Sequence, residues 1–452
     1  MQKQLTAFKQ RLIFIFSLVA VLVLTSVFVL VGYQFIFPNT EPVPATQNNA
    51  ALANDPFYGE DNMTLKVGVP NALKETITAQ CAEFIKLHPN KSISINVIEY
   101  PDIVSTMLVG LGNLPDLMFF NSDKLHTLAE NNLLLPVYAL PNEITGVSKQ
   151  SIISRNTKNS AAAAMYDNDL FAYPYAADNG YVLFYDKRIL TTEDVASFES
   201  LIDASEQNGK TLIMDAGKSF YSSMFLFAGG FKTENYDIAT GVQQFNNYDR
   251  SSVINALDAF NLLFANNPNT FKSHEVDAII TGFKNDSTAA GICGFWQVEQ
   301  AKEALGANLG VAQIPTVKIN QTNTKTSAYY GYTMLGIHSN TFWVEASQML
   351  ADYLTGEACQ TRRAEQNGTP PTNIAAAKIA NNNEIINAFL KQESTAVPLS
   401  GIKDPYFAST SELGYQISSS TPLGKADLGE LFDDAINRVK SETANKVEQN
   451  GE

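Results

Sequence analysis

The chain has 452 residues, of which 45% are hydrophobic and 17% charged, a balance typical of a globular protein with two or three domains. Its formal net charge is −15, with 46 acidic and 31 basic residues. A surface this acidic argues against nucleic acid as a partner, because phosphate binding needs a basic face. It also argues against adsorption to anionic lipid by charge alone.

A long apolar run near the N-terminus predicts a transmembrane helix. Residues 12–37 contain no charged side chain, and a run of this length can cross a hydrocarbon core as a helix. Lys3, Lys9 and Arg11 precede the run, whereas the next basic residue after it is Lys66. This asymmetry predicts that the N-terminus lies in the cytoplasm and the rest of the chain outside the cell.

The segments around this run predict a single-pass anchor on the cell membrane. Residues 1–11 are expected to form a cytoplasmic tail, and residues 12–37 an uncleaved signal-anchor. A cleaved signal peptide would need small residues just after a shorter apolar core, and the nearest Ala-x-Ala pattern begins only at Ala51. No cysteine lies near the end of the run, so a lipid-modified cysteine is excluded as the tether. Residues 38–62 are rich in Pro, Asn and Ala and are expected to form a flexible linker.

Strand and helix patterns then alternate. Apolar side chains recur at strand spacing or helix spacing in six consecutive segments: a strand at residues 65–69, a helix at 72–87, a strand at 92–99, a helix at 102–111, a strand at 114–120 and a helix at 125–131. In the third strand, the continuous apolar run LMFF is typical of a parallel strand buried on both faces. This order predicts a doubly wound α/β lobe.

The middle and end of the chain continue the alternation of predicted strands and helices. Strands are predicted at residues 181–185, 211–215, 287–295 and 308–314, and helices at 195–207, 220–227, 251–266, 342–355 and 427–442. The expected fold class is therefore α/β, with two doubly wound lobes preceded by the N-terminal transmembrane helix.

Side chains that could perform catalysis or bind a metal ion are scattered. Cys81, Cys293 and Cys359 are far apart in sequence, which excludes a CxxC motif or a zinc knuckle. Cys81 falls on the apolar stripe of a predicted helix and Cys293 lies in an apolar run, so both are expected to be small buried hydrophobes. The four histidines form neither an HExxH motif nor a Cys–His site. We therefore expect no catalytic residues, no metal and no cofactor, and the sequence argues against an enzyme.

Six segments match one protein family in their order and spacing. They are LPDLMFF at residues 114–120, FAYPYAAD at 171–178, LFYDK at 183–187, GICGFW at 291–296, GVAQIP at 310–315 and YGYTMLGI at 330–337. Together they resemble the extracellular solute-binding proteins of ABC importers, in the maltose- and maltodextrin-binding branch. The resemblance covers residues 63–447 and implies a type II periplasmic-binding-protein fold, in which hinge crossovers join two lobes that clamp a ligand between them.

The resemblance also implies lobe boundaries and a partner. Lobe 1 is expected at residues 63–176 and 326–376, lobe 2 at residues 177–325 and 377–447, and a short tail at 448–452. An ABC transporter permease would be the protein partner, and a mono- or oligosaccharide the small-molecule ligand.

Candidate ligand-binding residues follow from the matched positions. A neutral sugar needs aromatic rings against its C–H faces and polar groups for its hydroxyls. The candidates are Asn71 and Lys74 after the first strand, Asp123 and Lys124 after the third, Asp178 at the first hinge crossing, Phe220 or Tyr221 from the second lobe, the stacking residue Trp296, and the late aromatics Tyr406 and Phe407.

Structural roles for the same candidates remain open. Trp296 could fill the core, Asp123 and Lys124 could form an ordinary exposed pair, and Asp178 could cap a helix or pair with a hinge donor. Lys218 stands where the family often carries an acid, and this departure argues against maltodextrin itself as the ligand.

The expected function is a membrane-anchored receptor that delivers a carbohydrate to an ABC importer. One alternative is that the same fold binds a polyamine, an oxyanion or iron; clustered Tyr329, Tyr330 and Tyr332 are the pattern that iron would favour. Another alternative is a surface sensor or adhesin that has lost transport.

Overall fold

The structure, a computed structural model, describes residues 57, 59–110, 112, 114–137 and 147–450, with side chains as far as residue 444. The expected signal-anchor at residues 12–37 and most of the expected linker lie outside the described residues. Among the helices that are described, none has both the length and the hydrophobicity that a bilayer crossing requires.

The described α-helices are α1 Lys74–Leu87, α2 Ile103–Val109, α3 Leu125–Glu130, α4 Lys149–Arg155, α5 Lys158–Ala163, α6 Phe198–Gln207, α7 Ser219–Ala228, α8 Arg250–Asn266, α9 Asp277–Lys284, α10 Val298–Leu305, α11 Val344–Leu354, α12 Glu357–Asn367, α13 Ile374–Ala380, α14 Glu384–Glu393, α15 Asp404–Ile417 and α16 Lys425–Asn450. Short 3₁₀ turns lie at Asn71–Leu73, Ser122–Lys124, Phe295–Gln297 and Gly306–Asn308.

The described strands are β1 Met63–Val69, β2 Ile93–Glu99, β3 Leu117–Asn121, β4 Met165–Tyr166, β5 Asp169–Leu170, β6 Tyr173–Asp186, β7 Thr211–Met214, β8 Phe271–Ser273, β9 Thr288–Gly294, β10 Leu309–Ala312, β11 Val317–Ile319, β12 Thr322–Thr324, β13 Tyr329–Ile337 and β14 Val397–Pro398. The predicted alternation of strands and helices is confirmed, and the fold is mixed α/β.

The main strands form one continuous ten-stranded arrangement, in which the shared strand β6 joins two parts that are called here the first and the second sheet. In the first sheet the order is β2-β1-β3-β13-β6, with β1, β2 and β3 parallel and β13 antiparallel to both β3 and β6. In the second sheet the order is β6-β9-β7-β8, with β7 parallel to β8 and β9, and β10 antiparallel to β6. Along the chain, helices connect the successive parallel strands, because a parallel pair needs a crossover connection.

Strand β6 belongs to both sheets. Its residues from Tyr173 to Gly180 pair with β13, and its residues from Tyr181 to Tyr185 pair with β9. Gly180 lies at the change of partner, where a Cβ atom would fall 2.1 Å from the Tyr330 ring. A glycine is therefore needed for the two strands to approach this closely.

Helix capping explains why α6 begins later than the apolar spacing predicts. The pattern places the helix start at residue 195, but Ser197 Oγ accepts a hydrogen bond from the Ser200 backbone N–H at 3.1 Å. A serine with extended backbone that satisfies this N–H is a strong N-cap, so the helix starts at Phe198. Val195 is still buried, which is why the apolar period extends beyond the helix.

The three cysteines lie in the core as free thiols. Cys81 is 2% exposed, Cys293 0% and Cys359 1%, which confirms the expectation that the first two act as small hydrophobes. Burial raises the pKa of all three thiols, and that of Cys81 to about 12, so the reactive thiolate is disfavoured.

Candidate ligand-binding cleft

A cavity of about 410 Å³ lies where the two sheets meet. Its lining residues come from both sheets: Asn121 at the end of β3, Asp178 and Asn179 in β6, Thr333 in β13, and Trp296 just after β9. The lining therefore combines amide, carboxylate and hydroxyl side chains with one aromatic ring. Such a combination suits a ligand with polar edges and an apolar face.

The strand end after β9 positions Trp296. Gly294 ends the strand, and its backbone N–H donates a hydrogen bond to Gln297 Oε1 at 2.9 Å, which closes the 3₁₀ turn that carries the tryptophan. A Cβ atom on Gly294 would lie 2.3 Å from Trp296 Cζ2, so the glycine lets the indole lie against the backbone. The ring is nonetheless 49% exposed. An indole with half of its surface open is placed to stack on a ligand.

An aromatic wall continues from Trp296 onto helix α7. The ring centroids of Phe220 and Trp296 are 6.0 Å apart, and those of Phe220 and Tyr221 are 5.1 Å apart. Tyr181, on the shared strand β6, lies 4.9 Å from Phe220. Phe220 is partly exposed, whereas Tyr221 is only 4% exposed and supports the wall from behind. Of the two predicted aromatic residues, Phe220 is therefore better placed than Tyr221 to contact a ligand.

Charged groups surround a smaller cavity of about 300 Å³ beside this wall. Lys218, Glu275 and Asp277 line it together with Trp296. The Lys218 ammonium lies 2.9 Å from Asp215 Oδ2, and this hydrogen-bonded contact raises the pKa of the lysine. Although a lysine replaces the acid that the family resemblance leads one to expect, carboxylates still outnumber cations around this opening.

Asp178 is held by the neighbouring strand β13. Its Oδ1 accepts hydrogen bonds from the Thr333 hydroxyl at 2.8 Å and the Thr333 backbone N–H at 3.2 Å. Burial raises the pKa of this carboxyl above its usual range, while the Thr333 hydrogen bonds lower it to a smaller extent. The carboxylate has a second oxygen that can accept a hydrogen bond from a ligand hydroxyl.

We expect Asp178→Asn to raise thermal stability at neutral pH. The amide oxygen can keep both Thr333 hydrogen bonds, but the variant no longer has to bury a charge. Because the folded-state pKa is raised, the wild type holds its proton more tightly when folded. It therefore loses stability relative to the variant as pH rises above about 3.9, the usual pKa of an aspartate.

Melting temperatures of both proteins between acidic and neutral pH would measure this difference. The two curves should converge at acid pH and separate as pH rises, with the variant higher. If the variant is less stable than the wild type by the same amount at every pH, burying the Asp178 charge does not reduce the stability of the folded protein.

The edge of the first sheet carries four more predicted residues. Asn71 and Lys74 follow β1, and Asp123 and Lys124 follow β3; these strands are parallel neighbours, so the four residues share one edge. Lys124 Nζ lies 3.0 Å from Asp123 Oδ2. Burial lowers the pKa of Lys124, but the nearby charges of Asp123, Asp404 and Asp102 outweigh this effect and raise it. None of these four residues lines the cavity of about 410 Å³ that Trp296 shares with Asp178.

The late aromatics lie away from that cavity. Tyr406 is 0% exposed, and its hydroxyl is 3.0 Å from Ser223 Oγ inside the core. Phe407 is partly exposed, and its ring centroid lies 5.9 Å from that of Tyr329. The structure therefore places Asp178 in one cavity with Trp296, places Phe220 in ring contact with Trp296, and leaves Tyr406 as a packing residue.

Three lining residues were not among the predicted candidates. Asn121 ends a continuous apolar strand, Asn179 directly follows Asp178, and Thr333 is a polar residue inside the apolar strand YYGYTMLGI. A polar side chain in an otherwise buried strand is the signal that could have identified Thr333.

Comparison with protein families decides which group the chain falls into. Residues 79–388 match the family model of the bacterial extracellular solute-binding proteins. The chain belongs to this family. Its members and the structural relatives below are binding proteins, which confirms the expectation that this solute-binding protein is not an enzyme. A search of curated protein sequences gives no match.

Solved structures with the same fold include several maltose- and maltodextrin-binding proteins. The maltodextrin-binding protein MalE1 from L. casei BL23, without ligand, is 16% identical with a TM-score of 0.72, over 84% of this chain and 99% of that chain. The maltose-binding protein MalE from Listeria monocytogenes, in complex with maltose, is 19% identical with a TM-score of 0.68, over 85% and 98%. The GacH receptor of Streptomyces glaucescens, solved unliganded and with acarbose, is 18% identical with a TM-score of 0.64, over 84% and 98%.

Proposed function

We propose that this solute-binding protein is an extracytoplasmic receptor that closes around a carbohydrate and delivers it to an ABC importer. The observation that carries the proposal is the cavity at the meeting of the two sheets. There the half-exposed Trp296 lines one cavity together with Asn121, Asp178, Asn179 and Thr333. An indole can stack on the C–H face of a sugar while these polar groups bind its hydroxyls.

Closure would follow from how the cavity is built. A ligand held between Asn121 at the end of a first-sheet strand and Trp296 at the end of a second-sheet strand contacts both sheets at once. It therefore favours the conformation in which the sheets approach, because a ligand shifts a conformational equilibrium by its differential affinity for the two states. Strands β6 and β13 are the connections that would bend.

The proposed partners and location follow from the family and the sequence. The related proteins named for maltose, maltodextrin and acarbose support an oligosaccharide as the ligand class. The family is extracellular. We propose that residues 12–37 hold the receptor on the cell membrane and that a permease accepts the solute from the closed form.

A second candidate ligand is a polyamine. Glu275 and Asp277 line the cavity next to Trp296, and Asp215 lies beside Lys218. Carboxylates next to an aromatic face suit an organic cation. The tyrosine cluster gives no comparable support for iron, because the hydroxyls of Tyr329, Tyr330 and Tyr332 bond to Thr233, the Ala177 carbonyl and Glu393 inside the protein.

A thermal-shift panel on the full chain in detergent separates these candidates. We expect glucose, maltose or maltotriose to raise the melting temperature. At a ligand concentration 100 times the Kd, binding should add about 2.7 kcal/mol to the free energy of unfolding. If no sugar raises the melting temperature and spermidine does, the ligand class is a polyamine. A flat response to both groups would contradict the assignment of this cavity as the ligand site.

A further inference from the structure

Trp296 lines two cavities at once. The cavity of about 410 Å³ lies where the two sheets meet, and the cavity of about 300 Å³ lies beside helices α7 and α9. Among the described residues, Trp296 alone lines both cavities. A ligand that stacks on this half-exposed indole can therefore extend from one cavity into the other.

The larger cavity is suited to binding hydroxyl groups. Asn121, Asn179 and Thr333 supply uncharged amide and hydroxyl side chains. Asp178 is the one carboxylate among its described lining residues, and the Thr333 hydroxyl already donates to Asp178 Oδ1 at 2.8 Å. Sugar hydroxyls can both donate to and accept from these groups. A protonated polyamine has no acceptor to offer the amide NH₂ donors of the two asparagines.

The smaller cavity carries an unbalanced negative charge. Lys218 is the one cation among its described lining residues, and its ammonium already lies 2.9 Å from Asp215 Oδ2. Glu275 and Asp277 line the same cavity and are exposed. Within the described part of the chain, neither carboxylate forms a salt bridge or a side-chain hydrogen bond. A neutral sugar would leave both carboxylates without a partner of opposite charge.

Neither acid is used to cap the helix beside it. Helix α9 begins at Asp277, its N-cap is Val276, and no side chain accepts a capping hydrogen bond there. Both carboxylates are exposed, so a ligand in the cavity can reach them without any rearrangement of the core.

The aromatic wall adds a second reason for a cation in the smaller cavity. Phe220 and Trp296 line it together, with ring centroids 6.0 Å apart. An ammonium near an aromatic face is attracted by the ring quadrupole, and the two free carboxylates add attraction between opposite charges. A ligand that uses both cavities therefore combines a ring that carries hydroxyls with a protonated amine.

We propose that the ligand is a saccharide with a protonated amino group, whose sugar ring occupies the larger cavity and whose ammonium lies beside Glu275 and Asp277 in the smaller one. This inference rests on the proposed carbohydrate receptor function and narrows its ligand class. One such molecule uses the hydroxyl-binding groups and the free carboxylates together, whereas a neutral sugar or a polyamine uses only one of the two sets.

Isothermal titration of the full chain in detergent with three matched disaccharides tests the proposal. Chitosan disaccharide, a dimer of D-glucosamine, carries ammonium groups where cellobiose carries hydroxyls and where N,N′-diacetylchitobiose carries neutral amides. At about pH 6 the protein carboxylates are ionised and the sugar amines are protonated. We expect chitosan disaccharide to bind with a Kd about tenfold below that of cellobiose. N,N′-diacetylchitobiose should bind no more tightly than cellobiose.

A double variant locates the ammonium. Glu275→Gln combined with Asp277→Asn removes both charges, and we expect the Kd for chitosan disaccharide to rise about tenfold, to near the value for cellobiose. The matched control is Asp203→Asn combined with Glu206→Gln, which removes two exposed charges on helix α6, outside both cavities. The control should keep the wild-type preference for chitosan disaccharide. If the first double variant does not fold, the three disaccharides on the wild type decide.

The outcomes separate this inference from the function on which it rests. Equal Kd values for chitosan disaccharide and cellobiose would overturn the inference and leave the carbohydrate receptor standing. Binding of maltose without binding of chitosan disaccharide would do the same. Equal weakening by the two double variants would also overturn it, because the overall charge of the protein would then be responsible. If no neutral or amino sugar binds, the inference and the proposed function both fail.

Discussion

Replacing Trp296 with alanine should abolish the thermal upshift that a sugar produces and leave the melting temperature of the ligand-free protein almost unchanged. The indole is 49% exposed, so its loss opens little of the core. It is also the one aromatic residue among the polar residues that line this cavity. Truncating an aromatic anchor of this kind costs about 2 kcal/mol or more, which weakens binding roughly 30-fold.

The chain offers a matched control for this variant. Trp343 is the other of the two tryptophans; it precedes helix α11 and is packed partly against the core. Trp343→Ala should lower the melting temperature and leave the Kd for the sugar unchanged. Isothermal titration and thermal shift on both variants separate the two roles. Normal sugar binding by Trp296→Ala would remove this residue from the site.

Arg363→Ala should reduce the free energy of unfolding by about 3 kcal/mol or more. The Arg363 side chain is 2% exposed and lies on the face of the Tyr175 ring, 3.7 Å from its centroid. Its guanidinium donates to the Leu354 carbonyl at 2.9 Å, Gln80 Oε1 at 3.0 Å and the Tyr175 carbonyl at 3.2 Å. Alanine would leave these buried acceptors without their donor and open a cavity below strand β6.

The neighbouring arginine is the control for that substitution. Arg362 has a side chain that is 36% exposed and pairs with Glu83 at the surface. Arg362→Ala removes the same charge, but exposed ion pairs contribute at most about 1 kcal/mol. Urea unfolding of both variants measures the difference. Equal losses of stability would mean that the contacts of Arg363 contribute nothing beyond its charge.

Local sequence patterns were sufficient for most elements of the fold. The alternating segment at residues 92–99 forms β2, and the apolar run LMFF forms β3, which lies between β1 and β13. Those predictions rest on side-chain periodicity, which is a local property. The sequence could not show that residues 173–186 form one strand shared by two sheets, because that depends on pairing with β13 and β9 far along the chain.

The site was only partly predictable for the same reason. Trp296 follows a recognisable strand end, and the structure places it in the cleft. Tyr406 was expected near the ligand, yet it lies on the buried face of α15. Its spacing to Thr410, Leu413 and Ile417 is the helical period of a core stripe. Thr333 and Asn179 become lining residues only because β13 and β6 run side by side at that point.

The burial of every native thiol offers a direct way to test whether the proposed cleft closes. The 452-residue sequence contains only Cys81, Cys293 and Cys359, and all three are buried with a raised pKa. Maleimide reagents attack the thiolate, so they should spare these positions in the folded protein. A cysteine introduced on each side of the cleft would therefore take up a fluorophore selectively. Energy transfer between the two dyes could then test the proposed closure in single molecules without removing any native cysteine.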